Sequence, residues 1–282
     1  MIRHRKGLSF SGTLLFASLS VCLPCGDAQA GDTVRIGGNG SGLGAMKLLA
    51  KAYRETHPKV TITVAPSLGS SGGIAALRDG ALDLAVSARP LRAEEQGDGT
   101  EASEYASTPF IFTAHRKVPK AGLTTDELIS MYRQETTKWP DGTRIRLILR
   151  PQNDTDTAFV KRISPAMDRA VQRAQARPGM MVATTDQESA DAITRLPGAL
   201  GGSTLTEIVT EARAVNMLAY NGVKPTLRNL SDGSYPLVKK LYLVTTAKTS
   251  AQARQFAAYL RSAKARAILA KSGNLTPTPK ER

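Results

Sequence analysis

The 282 residues carry 38 Lys and Arg against 24 Asp and Glu, a formal charge of +14, with only two cysteines and three histidines. So few of either exclude a disulfide-stapled scaffold and leave little for a metal centre, so neither metal nor cofactor is expected. The excess charge suits a small anion better than a nucleic acid: no Lys/Arg run after residue 30 exceeds two, and few aromatics interleave with the basic residues.

The N-terminus reads as a cleavable export signal. Arg3, Arg5 and Lys6 precede an apolar run from Gly12 to Leu23, and Ala28-Gln29-Ala30 supplies a cleavage site. The run is shorter than the ~20 apolar residues a membrane-spanning helix needs, so residues 1–30 form a signal peptide and the exported protein starts at Gly31. Cys22 and Cys25 leave with the leader; Val21 and Pro24 before them do not suit lipid attachment. Residues 31–282 keep a formal +12, since the leader holds three basic side chains and one acidic one.

From Thr33 the chain alternates β-branched runs with amphipathic stretches, the pattern of an α/β domain with a mainly parallel sheet. Thr33–Ile36 is a strand, and Met46, Leu49, Ala50 and Tyr53 share one helix face. Between them lies Gly38-Asn39-Gly40-Ser41-Gly42. A second unit runs from Val60–Val64 through Gly69-Ser70-Ser71-Gly72-Gly73 into a helix that stops at Gly80. Glycine lets a ligand approach the backbone, the helix N-terminus favours an anion, and serine hydroxyls add donors, so both loops are candidate anion cradles.

Leu82–Val86 is a third strand that places Arg89 at its carboxyl end, the edge where open α/β sheets bind ligands. Thr124–Glu127 and Thr185–Glu188 are capping boxes that start helices. Arg144–Leu149 is a strand ending at Arg150, followed by a polar turn, Pro151 to Asp156. The last helix is expected from Ser250, with Phe256, Tyr259, Leu260, Ala263 and Ala267 on one face and Gly273 beyond its end.

Two enzyme motifs fail on their chemistry. Gly69–Gly73 matches the G-x-S-x-G elbow, but the only later histidine, His115, has no triad-like surroundings. Gly40–Ala45 matches a dinucleotide fingerprint, but Ala65, Pro66 and Ser67 stand where an acidic ribose ligand belongs. No enzymatic activity is expected.

In order and spacing, the two Gly/Ser loops, Asp83–Leu91, Leu123–Leu128, the Arg150 loop, Gly198–Gly201 and Tyr235-Pro236-Leu237 resemble the periplasmic phosphate-binding proteins of phosphate ABC transporters. The resemblance implies a two-lobed type II periplasmic binding-protein fold, each lobe a mostly parallel sheet flanked by helices, with the ligand in the cleft between. Chain crossings near residues 113 and 216 would divide it into lobe 1 (31–113 plus 216–282) and lobe 2 (114–215). Ligand contacts would come from Ser41 and the Gly42 amide, Ser70 and Ser71, Arg150 with Asp154 and Thr155 from its turn, and Arg89. The resemblance also implies a monomeric periplasmic protein that hands its solute to an inner-membrane ABC permease.

Two departures bear on the ligand. Ala88 stands where phosphate binders of the best-known type carry an aspartate, and Asp154-Thr155-Asp156 replaces the usual Ser-Gly-Thr. A charge pair about 4 Å apart is worth roughly 4 kcal/mol at an effective dielectric near 20, so carboxylates here oppose a dianion unless Asp154 or Asp156 accepts a hydrogen bond from a ligand hydroxyl, or pairs with Arg150 or Lys161 and stays outside the cleft. An accessory or sensing protein with an altered or lost ligand is the alternative.

Overall fold

The computed structural model describes residues 1–2 and 33–277; the expected signal peptide beyond residue 2, with its two cysteines and its cleavage site, lies outside them. The first strand–helix units form as expected: β1 (Thr33–Gly38) leads into α1 (Gly40–Arg54), β2 (Thr61–Ser67) into α2 (Gly69–Arg78), and β3 (Leu84–Ser87) ends just before Ala88. Met46, Leu49, Ala50 and Tyr53 are all buried.

Both glycine-rich segments prove to be the first turns of helices rather than open loops. Asn39 caps α1, its side chain accepting from the Ser41 amide. The glycines serve close approach. Gly38, at φ +120°, lies against the Val86 carbonyl, and a side chain on Gly73 would run into the Gly38 backbone. The strands β1 and β3 and the helix α2 are thereby drawn together.

β4 (Glu101–His115) is the long strand on which the rest is organised. After it come β5 (Gly122–Leu123), α3 (Thr125–Arg133), β6 (Arg146–Leu149), α4 (Thr155–Lys161), α5 (Pro165–Gln175) and β7 (Met181–Val182). The chain continues through α6 (Asp186–Arg195), β8 (Ala199–Thr204), α7 (Leu205–Thr210), β9 (Val215–Met217), β10 (Ala219–Tyr220) and α8 (Leu227–Ser231). It closes with β11 (Val238–Thr245), α9 (Ala251–Tyr259) and α10 (Ala263–Lys271). Sheet order is β2-β1-β3-β11-β4-β8-β6-β7, with β9 also on β4 and a separate β10–β5 pair. β1–β2, β1–β3, β6–β8 and β6–β7 are parallel, whereas β11 runs antiparallel to β3 and β4, and β4 antiparallel to β8.

Apolar side chains gather in two main cores. One packs Val34, Leu49, Tyr53, Leu84, Leu241 and Phe256; the other packs Phe110, Phe112, Leu128, Trp139, Leu147 and Met167. β4 feeds both, with Tyr105 and Ala106 in the first and Phe110 onward in the second. Leu218, Tyr220, Tyr235 and Leu237 also pack in the second core, before β11 joins the first.

Two helix expectations need correction. The single C-terminal helix is two, because Ser262 caps a new one through the Ala265 amide. The break shifts the phase: Ala265 and Leu269 are buried, while Ala263 and Ala267 face out. At α6, Thr185 is the N-cap, but the Glu188 carboxylate reaches back to the Thr184 amide and hydroxyl rather than to Thr185.

Candidate functional site

The carboxyl ends of the parallel strands point at one buried cluster. β1 delivers Ser41 through the start of α1, β6 delivers Arg150 and the turn into α4, and the N-terminus of α6 delivers Asp186. A fourth contributor comes from the opposite direction. Since β11 is antiparallel to β3, with Tyr242 opposite Ser87, its early residue Lys239 projects past the carboxyl end of β3 into the same place.

The geometry is closed on itself. Asp186 occupies the anion cradle of α1: the Gly40 amide donates to its Oδ2 at 3.1 Å and the Ser41 hydroxyl to its Oδ1 at 2.8 Å. The Ser41 oxygen in turn accepts from Lys239 Nζ at 2.8 Å. Lys239 Nζ is bonded to Asp156 Oδ1 and stands 3.8 Å from Asp186. Arg150 donates to Asp154 at 3.0 and 3.3 Å and to the Ala183 carbonyl at 2.9 Å, and lies 3.8 Å from Asp186. The Thr155 hydroxyl, next in the chain to Asp154 and Asp156, meets Ser70 Oγ at 3.3 Å.

Arg150, Asp156, Asp186 and Lys239 are all buried, and burial is costly for charge unless it is paired. Burial works against the Lys239 ammonium, but Asp156 and Asp186 outweigh it and hold its pKa above the ordinary lysine value. Burial and the neighbouring carboxylates Asp186 and Asp154 leave Asp156 above the usual aspartate range despite Lys239. Asp186 lies below that range: burial opposes ionisation, but Lys239, Arg150 and the Ser41 hydroxyl overcome it. Next to them Glu207, 1% exposed, is pushed well above the ordinary glutamate value by burial first and by Asp186 second.

The structure brings together Ser41, Ser70, Arg150, Asp154 and Thr155. Asp154 is the N-cap of α4 as well as the partner of Arg150, and Lys161 pairs instead with Asp168. The Gly42 amide is turned inward to the Asn39 carbonyl at 3.2 Å. Arg89 is engaged elsewhere: it grips Glu95 through two 2.6 Å bonds and donates to Ser71 at 2.9 Å. Ala88 donates its amide to Ser70 Oγ at 3.0 Å. A groove of about 740 Å³ between β4, β11 and the C-terminal helices contains none of these residues.

Sequence reasoning missed Asp186, Lys239 and Glu207. A signal existed for Lys239, which alternates in phase with the buried Leu241 and Leu243. Asp186 was hidden because an acidic residue in a first helical turn is common for dipole reasons alone.

The family model of the PBP superfamily domain matches residues 24–264, and the chain belongs to that family. It is 23% identical over 249 residues to the phosphate-binding protein PstS of Bacillus subtilis, covering 84% of this chain and 78% of the relative. With the protein of the same name from Borreliella burgdorferi it shares 22% over 270 residues, covering 93% and 96%. A phosphate-bound putative phosphate ABC transporter substrate-binding protein from Clostridium perfringens superposes with a TM-score of 0.74 at 19% identity, covering 87% of this chain and all of that one. The architecture is the two-lobed α/β fold of these binding proteins.

Proposed function

We propose that the chain is an exported substrate-binding protein that captures phosphate or a related oxyanion-bearing solute and delivers it to an inner-membrane ABC permease, without chemistry of its own. One observation carries this reading: the cleft already holds an oxyanion group. The Asp186 carboxylate lies on the Gly40 amide and the Ser41 hydroxyl with Lys239 and Arg150 alongside, a set of donors suited to a tetrahedral oxyanion. Ser70 and Thr155, bonded to each other, carry two further hydroxyls. The nearly full-length relatives named as phosphate-binding proteins favour transport over an accessory role. Arg89, bound to Glu95 and Ser71, is assigned to bracing the second glycine-rich turn rather than to the ligand.

Titration calorimetry on residues 31–282, freed of carried-over ligand, tests it with phosphate, sulfate, molybdate and small phosphate esters. Saturable binding of at least one is expected, and Arg150→Ala should weaken it by about tenfold or more. No binding to any of the four classes sinks the reading.

A further inference from the structure

The cleft has its donors, but they are occupied: Gly40 is packed against the Asp186 carboxylate and the Gln187 side chain. The strongest donors of the cradle are already spent on a side chain of the protein itself. The Gly40 amide and the Ser41 hydroxyl both end on Asp186, and a side chain at Gly40 would meet that same carboxylate. Charge gives the same result. Arg150 and Lys239 face Asp154, Asp156 and Asp186, so an anion added to the intact cluster enters a site whose positive charge is already matched and exceeded.

We propose that Asp186 is a tethered competitor for the ligand: its carboxylate stands in the place of the incoming oxyanion, and must leave the Gly40–Ser41 cradle before that oxyanion can bind. The inference rests on the reading of the cleft as an oxyanion site and assigns the residue that sets its affinity and selectivity. Exchange of one carboxylate for one monoanion restores the charge balance of the cluster, whereas a dianion leaves an additional negative charge against Asp154 and Asp156. The competitor also spans the cleft. Asp186 opens α6, which packs through Ile193 against Ile148 of β6, while Gly40 and Ser41 open α1, which packs in the first core. The ligand-free protein is therefore held closed by its own carboxylate, and the apparent affinity is reduced by the fraction of molecules in which Asp186 is off the cradle.

The test compares wild type, Asp186→Ala and Asp186→Asn, all as residues 31–282, by calorimetry with inorganic phosphate and by small-angle scattering without ligand. Asp186→Ala is expected to bind phosphate about tenfold tighter or better than wild type, with Asp186→Asn, which keeps the size and sheds the charge, also tighter. Ligand-free Asp186→Ala should have a larger radius of gyration than wild type and contract on adding phosphate. Should either variant bind phosphate no better than a wild type that does bind it, the competitor role is overturned and the oxyanion reading stands. Should Asp186→Ala fail to fold, the asparagine variant decides by the same comparison. Should none of the three bind phosphate or any of the other oxyanions, the functional reading itself falls and this inference falls with it.

Discussion

Lys239→Met is expected to destabilise the protein by about 3–5 kcal/mol, the range for removing one partner of a buried ion pair. The side chain is 1% exposed and its ammonium touches Asp156 and Ser41 and neighbours Asp186. Methionine fills most of the volume and packs against Phe110, over whose ring the ammonium now sits at 5.9 Å. What it cannot do is compensate Asp156 and Asp186, which would be left with Arg150 alone. For a domain of this size such a loss lowers Tm by roughly 10 °C. The paired change Lys239→Met with Asp156→Leu should recover most of it, because replacing both ends of a buried pair by apolar groups is often neutral. Thermal unfolding followed by circular dichroism for the four members of that cycle measures the coupling. A single-variant loss below about 1 kcal/mol would mean that the pair is hydrated in solution, and the closed cleft with it.

What the sequence made legible follows a physical division. Periodicity and capping are local, so β1, α1, β2, α2 and β3 were readable to within a few residues, and the Thr124 capping box is present with both of its bonds. The C-terminal helix misled because Ser262 sits in an otherwise continuous apolar pattern and only its bond to the Ala265 amide ends one helix and starts another. The site was half readable. Residues at the carboxyl ends of parallel strands, Ser41, Ser70 and Arg150, could be placed by topology alone. Lys239 could not, since it reaches the cleft from the start of an antiparallel strand whose position in the sheet is a long-range property. Nor could the pairing of Asp186 with Gly40 and Ser41, separated by about 145 residues in the chain. In the Asp154-Thr155-Asp156 turn, the pairing of Asp154 with Arg150 is one of the two arrangements its composition allows.

The stability of the wild type should fall as the pH rises through the range above about 4.5, the ordinary glutamate value, and Glu207→Gln should remove that part of the fall. Glu207 is buried on α7, with the Ser203 hydroxyl donating to its Oε2 at 2.7 Å and no hydrogen-bond partner for Oε1 among the described residues. Burial, reinforced by Asp186 and Glu211, raises its folded-state pKa well above the unfolded one, against the pull of Ser203 and Lys239. Between those two values the folded protein holds a proton that the unfolded chain has released, so the stabilisation is complete below about pH 4.5 and is lost as the pH climbs to the folded-state pKa. Inside that window each pH unit costs about 1.4 kcal/mol for this one group. Asp156 titrates in the same direction, and His115, lowered by burial and by Arg116 and Lys117, in the opposite one, so the wild-type profile alone mixes several groups; the difference between wild type and Glu207→Gln isolates one. Urea unfolding of both proteins at intervals from pH 5 to 9 should give a gap that widens in favour of the glutamine variant until the folded-state pKa is passed and is constant beyond it. A gap that stays constant with pH would show that Glu207 is ionised in the folded protein, and that the wall of the cleft behind Asp186 is open to water.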